Sequence, residues 1–266
     1  MAASANPANH WDGEQANEQL GQRIAAIQAR VAAATERSGR ARDAVQIVAV
    51  SKTMPAEAIL AAAAHGLTLF GENRVQEARD KIAAVTAAGL TQLRWELIGH
   101  LQTNKAARAV ELFTRVQSVD SVRLAEALSR HAQQMERTLP ILLEVNVAGE
   151  ASKSGVTPEE VAAVARTIAG LPHLRPEGLM TIAPLVDDPE AARPVFQRLR
   201  ALRETLRAEV PLGADGGDGG WSELSMGMSD DFEVAIEEGA TLARIGRALF
   251  GERPPVAASG ALNPAH

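Results

Sequence analysis

The sequence contains no cysteine and no tyrosine among its 266 residues, and aromatic residues make up only 3% of it. Because it lacks cysteine, the chain can form neither disulfide bonds nor thiolate metal sites, which agrees with a reducing compartment such as the cytoplasm. Because it lacks tyrosine, no phenol of its own can act as a general acid or base. The second absence limits the catalytic roles that the chain can fill.

Long apolar runs are also missing. No segment approaches the roughly 18 apolar residues of a membrane span, and the polar N-terminal segment lacks the apolar core of a secretory signal. The formal net charge of -6 argues against a surface for nucleic acid or acidic membranes. The motifs HExxH, GxGxxG, GxSxG and the P-loop are absent, so metal-dependent and nucleotide-hydrolysing activities have no support. We expect a cytoplasmic protein without a metal, membrane or nucleic-acid partner.

Short apolar segments alternate regularly with segments of helical spacing along most of the chain. Continuous Val, Ile and Leu runs are typical of strands covered on both faces, and regular alternation predicts parallel βαβ units. About eight such units in a chain of this length favour a closed (β/α)8 TIM-type barrel over a doubly wound sheet. The predicted strands cover residues 47–52, 67–71, 94–99, 115–118, 140–147, 177–182, 223–225 and 241–245.

We predict a single α/β domain over residues 13–253, between mobile tails at 1–12 and 254–266. The acidic, glycine-rich segment 213–220 is expected to be a surface excursion.

Capping chemistry predicts where several helices begin. The segment Thr157–Glu160 is a capping box with Pro158 at the first helical position. Asp120 or Ser121 is expected to cap another helix, and Asn73 can cap the helix after the second strand.

A lysine ends the first predicted strand, and the carboxyl ends of strands are where α/β proteins place their chemistry. On its own, Lys52 could simply extend to solvent. Strand alternation brings Glu144 and Asn146 inside the barrel, and Arg244 shares the inward face of the last strand, although it could pair structurally with Glu144 or Glu177. Buried polar groups need partners, so this convergence predicts a functional mouth.

Other residues near the strand ends leave two interpretations open. His100 follows the third strand but could be a solvated histidine, and Asn73 could serve only as a helix cap. The turns Ser225–Ser229 and Ile245–Arg247 contain small residues that let backbone N–H groups approach an anion. Two aspartates follow the first turn, however, and they would satisfy the helix dipole without any ligand.

Six motifs also occur in a known order along the chain. They are AVSKTMP at 49–55, FGENRVQEA at 70–78, WELIGHLQTNK at 95–105, EVNVAGEASKSG at 144–155, EGLMTI at 177–182 and LSMGMSDDFEVAIEEGATLARIGRALFG at 224–251. From about residue 45 to 253 the chain resembles the pyridoxal phosphate homeostasis protein family. That family consists of single-domain barrels similar to the N-terminal domain of bacterial alanine racemase.

The resemblance implies a cofactor, pyridoxal 5'-phosphate (PLP), and roles for the residues of the mouth. It implies that Lys52 forms a Schiff base with PLP and that Arg244 lies near the pyridine nitrogen. An arginine there disfavours ring protonation and weakens the cofactor as an electron sink. The resemblance further implies that the phosphate is contacted by Ser225, Gly227, Ser229 and Gly246. It also implies that the pocket is lined by Asn73, His100, Asn146 and Met180.

Two positions depart from the family pattern. Met54 stands where many relatives have a second lysine, so any auxiliary PLP contact through that lysine is lost. Arg247 stands where many relatives have threonine, and its guanidinium can bind phosphate by charge and by its fork of N–H donors.

The resemblance therefore implies a PLP-binding protein that stores or delivers the cofactor in intracellular vitamin B6 homeostasis, without robust catalysis. Candidate partners are PLP-dependent apo-enzymes, and one barrel that closes its own core suggests a monomer. The rival interpretation is a PLP-dependent amino-acid racemase, which needs a second base opposite Lys52; in alanine racemase that base is a tyrosine from another domain. A third interpretation is an aldolase that forms a Schiff base directly with a sugar phosphate, and such a protein would be colourless where a PLP protein is yellow.

Overall fold

The computed structural model describes residues 13–150, 153–212 and 220–251, which form a closed barrel of eight parallel strands. The strands are β1 (Gln46–Val50), β2 (Leu69–Glu72), β3 (Arg94–Leu97), β4 (Arg115–Val119), β5 (Leu139–Glu144), β6 (Leu174–Met180), β7 (Glu223–Ser225) and β8 (Leu242–Ile245). They pair in chain order, and β8 closes the barrel against β1. The predicted (β/α)8 architecture is confirmed. The two predicted tails and most of the glycine-rich segment lie outside the described residues.

Helices alternate with these strands. They are α1 (Glu14–Arg37), α2 (Ala56–Ala64), α3 (Val75–Ala87), α4 (Ala106–Leu112), α5 (Val122–Gln134), α6 (Val161–Ala169), α7 (Arg193–Glu209), α8 (Phe232–Glu237) and α9 (Arg247–Phe250). Short 3-10 turns at Thr103–Lys105 and Pro189–Ala192 lead into α4 and α7. Because all strands are parallel, the loops that follow them share one end of the barrel, which is called the mouth below.

Four strands, β1, β3, β5 and β6, end earlier than predicted, and the ends of β1 and β5 concern candidate site residues. β1 ends at Val50, so Lys52 lies beyond it in a turn where Thr53 has a φ of +65°. β5 ends at Glu144, so Asn146 belongs to the loop and not to the strand. The apolar pattern continues past both strand ends, which is why it overestimated their length; hydrogen bonding to neighbouring strands decides where a strand stops.

Helix starts were predicted less well than strands. Asn73 does not cap α3, because the N-cap is Arg74 and no side chain caps it. The capping-box prediction is wrong as a helix start: Thr157 Oγ1 donates to Glu160 Oε2 at 2.8 Å, but in the turn before α6. Ser121 caps α5 as predicted, by accepting from the third amide of the first turn. A nearby polar side chain is thus only one of several groups that can accept hydrogen bonds from the first N–H groups of a helix.

The predicted strand faces are confirmed. An apolar ring fills the barrel interior: Val48, Leu69, Ile98, Leu142, Met180 and Leu242. Val50 packs against this ring, as its alternation with Val48 predicts. The opposite faces, such as that of Ile141 and Leu143 on β5, belong to the larger core shared with the helices.

Polar side chains also occupy the barrel interior. Arg115 Nη2 lies 2.9 Å from Glu177 Oε2, and Gln117 Nε2 donates to Glu96. Glu177 is therefore paired with Arg115, and the suggested pair of Glu177 with Arg244 does not form. These partners matter because an unpaired buried charge would cost several kcal/mol.

Glu144 lies at the carboxyl end of β5 and is 6% exposed. Its Oε2 atom is buried and has no hydrogen-bond partner among the described residues. Burial raises the pKa of Glu144 to about 7; Asp120 adds to the rise, while Arg244 and His100 oppose it. This carboxyl therefore changes its charge close to neutral pH.

We expect Glu144→Gln to remove a pH dependence of folding stability. The pKa of Glu144 in the folded state lies above the ordinary value of 4.5, so the protonated carboxyl stabilises the fold. This contribution to the free energy of unfolding is complete below pH 4.5 and is lost as the pH rises towards 7. At about pH 8 the wild type should have lost on the order of 2–3 kcal/mol relative to the variant. Urea denaturation across this range measures the difference, with Glu36→Gln on the exposed face of α1 as control. Parallel pH profiles for the wild type and Glu144→Gln would contradict the expectation.

Candidate functional site

A cavity of about 540 Å³ lies at the mouth, where β1, β2, β3 and β8 end. Its volume suits a small molecule. Several predicted site residues line it: Lys52, Asn73, Ser229, Arg244, Gly246 and Arg247. The wall is completed by Asp230 and by five apolar residues: Val50, Ile98, Ile182, Leu185 and Met228.

A second depression, of about 560 Å³, lies on the outer face of α3, α4 and α5. Its charged side chains are exposed and pair locally, Arg79 with Asp80 and Arg108 with Glu111. Small-molecule sites usually combine an apolar wall with a few convergent polar groups, and the mouth cavity has both. The mouth is therefore the candidate functional site.

Lys52 reaches this cavity from the turn that follows β1. Its side chain is half-buried, and Ser51 before it is fully buried. The N–H of Met54 donates to the carbonyl of Ser51 at 2.9 Å, which closes the turn. The side chain of Met54 is 5% exposed and packs in the core between strands and helices. In this chain, position 54 therefore belongs to the core and does not line the cavity.

Arg244 contributes a buried cation to the cavity. The residue is 4% exposed; its Nη1 donates to Ser225 Oγ at 2.7 Å and its Nη2 to the Thr181 carbonyl at 2.7 Å. Ser225 Oγ in turn donates to Gln117 Oε1 at 2.6 Å. Burial lowers the pKa of Arg244 to about 10, against the opposing charges of Asp231 and Glu144. The guanidinium is therefore still charged at neutral pH.

The turn after β7 has a shape that requires glycine. Gly227 is buried with a φ of +88°, and a Cβ there would come within 2.6 Å of the Ala235 Cβ. Asp231 Oδ1 accepts from the Met228 N–H at 2.6 Å. This aspartate thus stabilises the turn that precedes α8 and makes no side-chain capping bond to that helix.

The turn after β8 is joined to the turn after β7. The Ala248 N–H donates to Ser229 Oγ at 3.2 Å, and Arg247 Nη2 lies 2.6 Å from Asp230 Oδ2. Gly246 brings the second turn close to β1, because a Cβ there would lie 3.2 Å from the Val50 Cβ. Ser229, Gly246 and Arg247 consequently face one side of the cavity as a unit.

The remaining predicted residues lie beside or beneath the cavity. His100 Nδ1 lies 3.0 Å from Asp120 Oδ2 and 3.3 Å from Ser154 Oγ. Asn146 uses its amide within the loop after β5, where Nδ2 donates to the Glu150 carbonyl at 2.9 Å. The others are buried: Met180, Ser225 and Gly227. Contacts of these residues with a ligand stay predictions.

The sequence analysis missed a charged cluster behind Lys52, on the outer side of β1. Lys81 of α3 has a side chain that is 9% exposed and contacts two carboxylates and a backbone carbonyl. The available signal was its spacing, because Lys81 falls on the same helical face as the buried Ala78 and Val85. A lysine on such a face requires a buried partner.

Within residues 13–150, 153–212 and 220–251, no group of three or more His, Asp or Glu side chains could hold a metal ion. The same ranges contain no helix that is both long and apolar enough to cross a membrane.

Comparisons with known proteins agree with this architecture. The family model described as "Alanine racemase, N-terminal domain" matches residues 23–254. The alanine racemase of Corynebacterium glutamicum has a TM-score of 0.60 at 18% identity, over 89% of this chain and 63% of that enzyme. At this identity the likeness concerns the fold alone.

Two further relatives match nearly their whole length. The pyridoxal phosphate homeostasis protein of Pseudomonas aeruginosa is 44% identical over 88% of this chain and 96% of its own. The structure of PipY from Synechococcus elongatus with PLP bound has a TM-score of 0.72 at 37% identity, over 87% of this chain and 100% of that protein. Matches of this extent and identity confirm the resemblance seen in the motifs, and the chain belongs to the pyridoxal phosphate homeostasis protein family.

Proposed function

We propose that this protein binds PLP as a Schiff base on Lys52 and stores or delivers it in intracellular vitamin B6 homeostasis, without robust catalysis. The observation that carries the proposal is the mouth cavity, which brings together an amine, a buried guanidinium and two joined Ser/Gly turns. A relative of known structure binds PLP, and the curated relatives are named as homeostasis proteins rather than as enzymes.

The residues of the cavity fit the three recognisable parts of PLP. Bound PLP would supply an aldehyde that reacts with an amine, and a pyridine ring that can withdraw electrons. Lys52 would provide the amine from the β1 side. Ser229, Gly246 and Arg247 would receive the phosphate from the β7 and β8 side, since small residues admit backbone N–H groups and arginine adds charge.

Arg244 supports a holding role over a catalytic one. Its guanidinium has five N–H donors, and two of its nitrogens are engaged by Ser225 and Thr181, so further donors remain for a ligand. A guanidinium close to the pyridine nitrogen disfavours protonation of that nitrogen and so weakens the ring as an electron sink. Retention of the cofactor does not need that electron sink, whereas carbanion chemistry does.

The racemase alternative lacks a tyrosine or histidine as second base in the described site, and the carboxylate that lines the cavity, Asp230, is paired with Arg247. The chain has no tyrosine, and His100 is engaged by Asp120 and is not among the residues lining the cavity. No described feature of the cavity favours the aldolase alternative over PLP binding.

Delivery and cellular context belong to the same proposal. We propose a cytoplasmic monomer whose acceptors are PLP-dependent apo-enzymes. The absence of cysteine suits a reducing compartment, and the closed barrel has no open sheet edge that needs a partner. Leu185 borders the cavity and is 89% exposed, so an acceptor enzyme would find apolar surface at the rim.

Lys52→Ala is expected to abolish the covalent attachment of PLP, because it removes the only amine proposed to react. Wild-type protein incubated with PLP and dialysed should be yellow, and PLP should stay covalently attached to it after borohydride reduction. The control Lys105→Ala alters an exposed lysine outside the mouth cavity and should behave as wild type. A Lys52→Ala protein with the same borohydride-sensitive band would show that another residue carries the cofactor.

Arg247→Ala is expected to weaken binding of PLP but not of pyridoxal, which lacks the phosphate. The guanidinium is partly exposed and already paired with Asp230, so the loss should be modest, about 3- to 10-fold in Kd. Arg247→Thr should recover part of it, since a hydroxyl can donate to phosphate. Equilibrium dialysis with both ligands measures the difference. An equal loss for PLP and pyridoxal would place Arg247 away from the phosphate.

PLP-loaded protein is expected to interconvert alanine enantiomers no faster than Lys52→Ala, because no tyrosine or histidine is among the described residues lining the cavity and the Asp230 carboxylate is paired with Arg247. Chiral chromatography of the alanine recovered after long incubation is the measurement, with an authentic alanine racemase as positive control. A rate well above that of Lys52→Ala would favour the racemase instead.

A further inference from the structure

The charged cluster behind Lys52 consists of Lys81, Glu72 and Glu77. The Lys81 ammonium has three N–H donors, and it uses them on the Ser51 carbonyl at 2.6 Å, Glu72 Oε1 at 2.8 Å and Glu77 Oε1 at 2.6 Å. Lys81 and Glu72 are buried, whereas Glu77 is partly exposed. A lysine is rarely buried unless it is paired, so the position of this ammonium is fully specified by its acceptors.

The same cluster holds the backbone on both sides of Lys52. Before it, Ser51 presents its carbonyl to Lys81, and its hydroxyl donates to Glu72 Oε1 at 2.7 Å. After it, the Thr53 N–H donates to Glu77 Oε1. The residue that is proposed to react therefore lies between two residues that are fixed by one group of charges.

Thr53 needs such a restraint because its backbone is strained. Its φ of +65° lies in the left-handed region, which a β-branched residue rarely adopts. A conformation of this kind is unfavourable and persists only where the surroundings impose it. The Glu77 contact to the Thr53 N–H is one such constraint.

The cluster lies on the opposite side of β1 from the ligand. Successive residues of an extended chain point in opposite directions, and Ser51 contacts the cluster while Lys52 lines the cavity. Burial raises the pKa of Glu72, although Lys81 and Ser51 oppose the rise. Burial also acts to raise the pKa of Glu77, but the hydrogen bonds from Lys81 and Thr53 outweigh it and the net shift is downward. Because the cluster contacts the backbone on both sides of Lys52, its effect on the ligand would pass through the backbone.

We infer that Lys81, together with Glu72 and Glu77, positions Lys52 for covalent attack on an aldehyde ligand. The inference rests on the proposed function of Lys52. In that step the neutral amine nitrogen of Lys52 forms a C=N bond to the aldehyde carbon, and the carbonyl oxygen leaves as water with the two amine protons. The reaction needs the amine at one place and angle, and a displacement of about 1 Å can slow such a step substantially.

Lys81→Met tests the inference through the rate and extent of covalent PLP attachment. The expected result is an attachment rate at least about tenfold slower and a smaller covalent fraction, with noncovalent binding of pyridoxine 5'-phosphate, which has no aldehyde, nearly unchanged. The matched control is Arg193→Met, which removes a cation that contacts Glu190, Glu237 and Glu238 away from the cavity. The control should keep the wild-type attachment rate even if it lowers stability.

A rescue variant separates positioning from simple destabilisation. Glycine adopts a positive φ without strain, so Thr53→Gly added to Lys81→Met should recover part of the attachment rate. If Lys81→Met does not fold, Glu77→Ala removes the restraint on Thr53 from a less buried position and is expected to slow attachment in the same way.

The outcomes for this inference and for the proposed function are distinguishable. Covalent attachment that survives Lys52→Ala would overturn the proposed function. Attachment that depends on Lys52 but runs within about twofold of wild type in Lys81→Met, or in Glu77→Ala, would overturn the positioning role alone. Equal slowing by Lys81→Met and Arg193→Met would also overturn it, because stability would then explain the loss.

Discussion

The burial of the Arg244 guanidinium is the constraint on which the interior of this barrel depends. An unpaired cation at 4% exposure would cost several kcal/mol, so its partners must be in place whenever the barrel is closed. Arg244 donates to Ser225, Ser225 to Gln117, and Gln117 to Glu96. These residues come from four different strands, β8, β7, β4 and β3. The candidate site is therefore the upper end of a hydrogen-bonded system that also fixes the order of the barrel.

β1 separates this system from a second one. On the cavity side, Lys52 and Arg244 line the same space. On the helix side, Lys81 and Glu72 form a buried ion pair that reaches the backbone of Ser51. The alternating direction of side chains makes this division possible, because adjacent residues of one segment can belong to a ligand site and to a structural cluster. Such a division would suit the proposed covalent role of Lys52, since that lysine needs a fixed position while the cavity stays open.

The sequence predicted the barrel and its faces because these follow from long-range regularities. Eight apolar segments and their inward residues, such as Val48 and Leu242, were recovered since burial imposes a simple period. Predictions at the mouth were weaker. Asn73 does not cap α3, and Asn146 does not remain in β5. In the loops at the mouth, each polar group can form hydrogen bonds with several alternative partners of similar free energy. Lys81 was overlooked because an isolated helical lysine usually faces solvent.

By itself, the sequence determined the fold class, the family and the end of the barrel at which the candidate site lies. Apolar periodicity and the collinear motifs record those properties residue by residue. Only the tertiary structure decided which groups meet: that Arg244 is held by Ser225 and Thr181, that Met54 belongs to the core, and that Lys81 contacts Ser51 directly and Thr53 through Glu77. The physical reason is that a hydrogen bond or ion pair forms only when atoms from distant parts of the chain are placed to within a few tenths of an ångström. Sequence spacing does not contain that information.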